Sequence, residues 1–210
     1  MNGVFHAGAG VVIGGLALGG SATPADLAVC AVAGTAPDWD VILLPVHRPL
    51  YSDYHRTVTH GFIGLLMGGV LAAAVLSLFG WEFRHAVYLW LSASLGHTVS
   101  DLFNRSGVAL FSPFSWDRIR MPLVSWGDVP LTVGAVALAI WMVMLPDTAR
   151  LASLAGLAAY AAYLLRRRRN PVLSNFVSRW WFQKVNGPGG ATGGGGPALS
   201  KSTENHGASG

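Results

Sequence analysis

The chain has 210 residues, of which 52% are hydrophobic and 11% charged, with 27 glycines, a single cysteine and a formal net charge of +4. This composition excludes an ordinary soluble enzyme and predicts one multi-spanning membrane domain, in which glycine and other small residues let helices pack closely in lipid. Cys30 has no partner, so neither a disulfide framework nor a thiolate zinc cluster is available. The positive charge is no sign of nucleic-acid binding: four of the fourteen basic residues form the run Arg166 to Arg169 directly after an apolar segment, as a cytoplasmic membrane flank does.

The first residues lack a basic region and carry His6, so no secretory leader is expected. Two short apolar stretches follow, about Ala7 to Gly20 and Ala25 to Ala36, separated by Ser21-Ala22-Thr23-Pro24. Thr23 suits a helix N-cap and Pro24 the first helical position. Each stretch is short for a crossing, so the pair is predicted to form a helical hairpin or a re-entrant element. Both its ends then lie on one side of the membrane, and His6 returns beside Asp38 and Asp40.

In Ala36-Pro37-Asp38-Trp39-Asp40 the proline ends the preceding helix and favours extended backbone, which directs Asp38 and Asp40 to the same side. Paired carboxylates repel, and a bound cation relieves the repulsion; a solvated polar turn is the alternative. His55 and His60 are five apart and would face differently on one helix. His55 is therefore placed in a loop and His60 in the first helical turn, with Thr57 or Thr59 as N-cap. Arg56, between them, either neutralises an anionic substrate or serves the positive-inside bias.

Four spanning helices are expected after this motif, roughly Gly61 to Phe79, His85 to Phe103, Val129 to Leu145 and Arg150 to Leu165. The second carries His97 and Asp101, four apart and so on one helix face. They suit two ligands of one divalent ion, or a buried hydrogen-bonded pair. His47 reads as loop and His85 threads to the opposite side. Residues 170–185, with Phe176, Trp180 and Trp181, suit an interfacial amphipathic helix or an aromatic-rich but irregular tail. Residues 186–210 read as a disordered tail, which sets His206 aside. The domain proper is thus 1–169.

Threading backwards from a cytoplasmic Arg166 run also places Arg48, Arg56, Arg105, Arg118 and Arg120 in the cytoplasm, with only Arg84 and Arg150 outside. His55, His60 and Asp101 fall on the cytoplasmic side with them.

The order of an N-terminal His, Pro37-Asp38-Trp39-Asp40, His55-Arg56-Thr57-Val58-Thr59-His60 and His97-Thr98-Val99-Ser100-Asp101 leading into Gly107 to Ser115 resembles the YdjM family of inner-membrane proteins. The family is described as predicted membrane-bound metal-dependent hydrolases. The chain departs from the family pattern at Gly61, where a Ser is frequent, and at Thr98 to Ser100. The resemblance implies His6, Asp38, Asp40, His55, Arg56, His60, His97 and Asp101 as the functional set.

The resulting expectation is an all-α membrane bundle with a short N-terminal helical hairpin and a cytoplasmic-facing pocket for one or two divalent ions, zinc or another transition metal. His6, Asp38, Asp40, His55, His60, His97 and Asp101 supply ligands, Asp40 a general base, and Arg56 a counter-charge for a metal-activated water attacking a lipid-linked phosphate or ester. The partners are then the lipid bilayer and a lipid-like or phosphorylated substrate, with no nucleic acid. The rival readings are a metal or proton transporter, and a scaffold with a structural metal.

Overall fold

The computed structural model describes residues 1–169, which form seven α-helices and no strand among the described residues. These are α1 Gly3–Leu18, α2 Pro24–Thr35, α3 Arg48–Tyr54, α4 Phe62–Ser77, α5 Phe83–Asp101, α6 Val129–Met144 and α7 Ala149–Arg169. The expected interfacial helix at 170–185, the tail at 186–210 and His206 lie outside the described residues.

Helix starts follow local chemistry. The Asn2 side chain accepts from the Phe5 amide and opens α1 upstream of Ala7. At α2, Thr23 is the N-cap with Pro24 in the first turn, as the sequence predicts, and Asp26 adds the reciprocal bond of a capping box. With the 3-10 turn that follows it, α1 becomes a 19-residue apolar helix, Gly3–Ser21. That stretch and Pro146–Arg169 are long and apolar enough to cross a membrane, while Phe62–Ser77 and Val129–Met144 are shorter apolar helices. The first stretch is therefore longer than its apolar core suggested, because Asn2 nucleates it early.

The hairpin of α1 and α2 forms through backbone contact. A Cβ added at Gly10 would lie 2.2 Å from the Cys30 carbonyl oxygen, and one at Gly34 would lie 2.4 Å from the carbonyl oxygen of His6. Only glycine allows this approach, which sets His6 against the end of α2. Helix α1 then packs against α2, α5, α6 and α7, with α4 laid against α5. Val11, Val12, Leu27, Met142 and Ala149 fill one part of the core, and Cys30, Ala33, Leu89 and Ala93 another.

Ion pairs mark the two ends of the bundle. At one end Asp26 meets His85 at 2.8 Å, and Arg150 lies against Gly19. At the other, Arg167 meets Asp128 at 2.8 Å while Tyr163 donates to the same carboxylate. Arg84 and Arg150 thus lie at the end of the bundle away from Arg56 and Arg167.

Three local expectations are corrected. Asp38 and Asp40 do not share a side of an extended segment: Ala36–Leu43 is a 3-10 helix with Pro37 in its first turn, where the missing N–H costs nothing. At three residues per turn, positions two apart diverge. His60 precedes the first turn of α4, whose N-cap is Gly61 with no side-chain cap. Neither Thr57 nor Thr59 caps it; Thr57 donates to the Tyr54 carbonyl and Thr59 to Asp40.

Gly10→Ala should destabilise the protein by about 1–3 kcal/mol, the usual penalty of overpacking. Gly68→Ala, where an added Cβ meets nothing within 4 Å, should be neutral or slightly stabilising. Thermal unfolding of both variants in detergent provides the comparison, and equal melting temperatures would remove the backbone contact as the determinant.

Candidate metal centre

Five side chains from four parts of the chain converge at one end of the bundle. α1 supplies His6, the 3-10 helix Asp38, the loop before α4 His60, and α5 both His97 and Asp101. One ligand atom from each of Asp38, His60, His97 and Asp101 lies within 4.8 Å of all the others. The His60 and His97 Nε2 atoms are 3.1 Å apart, and they lie 3.3 and 3.6 Å from Asp38 Oδ1. His6 Nε2 is 3.4 Å from Asp101 Oδ1, and its ring stacks on His97 with centroids 3.6 Å apart. His6, His60 and Asp101 are fully buried; Asp38 retains 24% side-chain exposure and so forms the open edge.

The surrounding hydrogen bonds assign the tautomers. His97 Nδ1 lies 2.7 Å from the Gly34 carbonyl, which only accepts, so Nδ1 carries the proton and Nε2 is bare. Thr59 gives its one proton to the Asp40 carboxylate and must therefore accept from His60 Nδ1, 3.0 Å away. Ser100 likewise donates to the His97 carbonyl, leaving its oxygen for His6 Nδ1 at 3.4 Å. Three Nε2 lone pairs consequently face one another and two carboxylates. Burial pulls the His60 pKa down to about 4, outweighing the attraction of Asp38, so this imidazole is neutral near pH 7. His6 Nε2, Asp38 Oδ1 and Asp101 Oδ2 are buried without a hydrogen-bond partner. Bare lone pairs and carboxylates this close repel unless a cation lies among them, and donated Nδ1 protons are the usual support of metal-binding histidines. The residues fit a divalent ion.

Around this cluster lies a second layer. Arg56 Nη2 is 3.3 Å from Asp101 Oδ2, and the Met1 amino group contacts the other oxygen of that carboxylate. Arg56 Nη1 is buried and unpartnered. Its backbone is left-handed, with φ of 65°, held there by the Ala109 amide donating to the Arg56 carbonyl at 3.0 Å. Ser112 donates to the Thr57 carbonyl, and its hydroxyl stands 2.1 Å from where a Cβ at Gly61 would lie. The segment after α5 therefore braces the His55–His60 loop. His55 holds Asp40 through Nδ1 at 2.9 Å and accepts from Arg56 Nε at 3.4 Å. Arg118, on the same side, donates to the His55 carbonyl.

Of the predicted set, His6, Asp38, His60, His97 and Asp101 come together directly. Asp40 and His55 form a pair one layer out, coupled to His60 through Thr59, and Arg56 bridges the layers. His47 caps α3 and His85 pairs with Asp26, both away from the cluster. Thr59, Ser100 and the Gly34 carbonyl were not foreseen as supports. The Thr adjoining a candidate His was the only one of these with a signal in the sequence.

The family model for the YdjM inner membrane protein matches residues 1–171. The chain belongs to the YdjM family. It is also 33% identical over 146 residues to the protein YfhP of Bacillus subtilis (strain 168), named as uncharacterized, a match covering 62% of this chain and 44% of that relative. The chain thus aligns with less than half the length of this curated relative. No solved structure matches. All five converging residues and the outer layer fall inside the family match.

Thr59→Val should lower divalent-ion affinity by about 10–100-fold, the usual effect of removing the partner of a metal-binding histidine. Competition with a chelator gives the affinity and circular dichroism the helix content, which should not change. Undiminished affinity would show that Thr59 does not orient His60.

Proposed function

We propose that this YdjM-family protein is a metal-dependent hydrolase of the inner membrane, acting on a phosphate or ester of a lipid-like substrate from the cytoplasmic side. The observation that carries this reading is the convergence of three unprotonated Nε2 atoms on the buried Asp101 and the half-buried Asp38, beside a buried arginine with an unused donor. Mixed imidazole and carboxylate ligation favours zinc or another transition metal over calcium. His6, Asp38, His60, His97 and Asp101 would hold the ion, and the number of donors leaves room for a second. When bound, the ion would acidify a water molecule and polarise the bond to be cleaved.

The remaining work falls to the chain's own groups. Arg56, fixed by Asp101, has Nη1 free to hydrogen-bond an anionic substrate and the charge that develops on it. His55 keeps its Nδ1 proton on Asp40 and its Nε2 accepts from Arg56 Nε, so it would take a proton from the attacking water as that hydrogen bond gives way to the water. Asp40, assigned above as the base itself, acts in this geometry by orienting His55. With 20% exposure, His55 also exchanges that proton with solvent.

Hydrolysis is favoured over transport by what separates the two polar ends. Along α5, His85, Leu89, Ala93 and His97 follow one another at four-residue steps on one face. Leu89 and Ala93 are buried against Cys30 and Ala33 of α2. An apolar plug therefore stands between the Asp26–His85 pair and the metal centre, where an ion path would need polar groups.

His60→Ala and Asp101→Ala should each remove most of the bound metal and the phosphoester or carboxyl-ester hydrolysis, and the double variant should lose little more, because residues of one centre act non-additively. Metal analysis and thermal stability are measured on the same samples. Full occupancy in both single variants would reduce the cluster to buried hydrogen bonding.

The orientation has its own test in a Cys30→Ala background. A thiol reagent confined to the outside of intact cells should label Arg150→Cys and spare Arg48→Cys. The opposite pattern would turn the site to the other face.

A further inference from the structure

A cavity of about 310 Å³ lies among α1, α5, α6 and α7, behind the metal centre. Helix α1 forms its floor from Phe5 to Ile13, a rise of about 12 Å at 1.5 Å per residue. Leu131 and Leu138 of α6 line one wall. The lining is apolar along this length and polar at one end, where Ser100 and Tyr160 lie toward the cluster and Tyr163 is held by Asp128. Ser100 is the residue whose oxygen faces His6 Nδ1. The Tyr160 hydroxyl is buried with no hydrogen-bond partner, and its ring lies 6.3 Å from Phe5, itself 5.5 Å from His6.

Two features distinguish this cavity from a packing gap. A Cβ at Gly134, on its exposed rim, would meet nothing within 4 Å, so the hollow opens to the surroundings there, whereas deeper in the lining a Cβ at Gly96 or Gly156 would strike Ile13 or Leu138. A void running over two turns of helix also forfeits dispersion contacts along its whole length, and an inner membrane protein is surrounded by hydrocarbon able to restore them. The long apolar section with one polar end matches an amphiphile.

We propose that this groove holds one hydrocarbon chain of an anionic membrane lipid, with the headgroup leaving the groove past Tyr160 and Ser100 toward Asp101 and Arg56. The inference rests on the hydrolase reading for the fate of the headgroup, but not for occupancy of the groove. Tyr160 supplies the unused donor at the junction. Arg56, in contact with Asp101, supplies the positive charge beyond it.

The test uses the full chain, metal-loaded, in phosphatidylcholine nanodiscs containing a phosphatidic acid with a photoreactive diazirine in mid-chain. Cross-links should concentrate on the peptides bearing Ala9 to Ile13 and Leu131 to Leu138. Gly134→Leu, which fills the hollow, should bring that labelling down to the level found on the outward face of α4, where Phe62, Met67 and Leu71 are exposed. Metal content and hydrolysis of a small aryl phosphate should stay unchanged in that variant. Ala159→Leu, from the opposite wall, repeats the test should Gly134→Leu fold poorly. Labelling no stronger than on α4, labelling unaffected by either variant, or cross-links to a second copy of the chain in place of lipid would overturn the proposal. Because cross-linking needs no turnover, a labelled groove in a protein that hydrolyses nothing supports the groove and removes the hydrolase reading. Aryl phosphate hydrolysis with an unlabelled groove does the reverse.

Discussion

The backbone contact between α1 and α2 is the constraint on which the site depends. Gly34 lies where a side chain would strike the His6 carbonyl, and its own carbonyl takes the Nδ1 proton of His97. One residue without a side chain thus fixes the distance between α1 and α2 and sets the tautomer of a histidine on α5. The 3-10 helix carrying Asp38 leaves directly from this point, so the register of the hairpin carries straight into the cluster. Small residues at such an interface suit a membrane, where apolar surface alone gives no preference for protein over lipid and close packing must supply the association.

Gathering this many ionisable groups in an apolar bundle is costly unless each has a partner. The first layer leaves three bare nitrogens and two carboxylates facing inward, while every Nδ1 proton is directed outward to an acceptor. Arg56 shows the same economy at the level of the backbone. Its left-handed conformation is unfavourable for a residue with a Cβ, and it persists because Ala109 and Ser112 tie the loop to the segment that follows α5. The strain turns the guanidinium inward to Asp101 and stores no other evident benefit. This also accounts for Gly61: the space that a side chain there would take is filled by the Ser112 hydroxyl.

How much of this could be read from the chain differs by element. The Thr23-Pro24 start, the returning hairpin and the His97–Asp101 face were legible because each depends on neighbours in sequence: a cap, an apolar length, a four-residue step. The spacing of Asp38 and Asp40 was misleading, since Pro37 is as compatible with the first turn of a 3-10 helix as with extended chain. The sequence offers nothing local to choose between them. Helix α3 was not foreseen, because Arg48 to Tyr54 is too short for a periodic pattern. Its cap is His47, a residue with weak cap preference. The supports of the cluster were harder still: Thr59, Ser100 and a glycine carbonyl are ordinary residues whose role exists only once three helices have met. The candidate ligands were therefore visible as types and order, while their division into an inner five and an outer Asp40–His55 pair required the fold.

The two ends of the bundle differ in kind. Both carry an imidazole facing an aspartate, and they lie on one face of α5, His85 at its start and His97 near its end. Were they stations on one path, polar residues would have to link them, yet the two intervening positions on that face are Leu89 and Ala93, packed without exposure against α2. The far pair is partly exposed and closes the hairpin onto the start of α5, with Asp26 also serving the capping box. The near cluster also ties α5 to α2 and α1, through His97 on the Gly34 carbonyl and against the His6 ring, yet it leaves buried polar atoms unpartnered. Similar residue types thus serve structure alone at one end, and at the other leave a depth-limited cluster whose open edge at Asp38 faces out of the bundle.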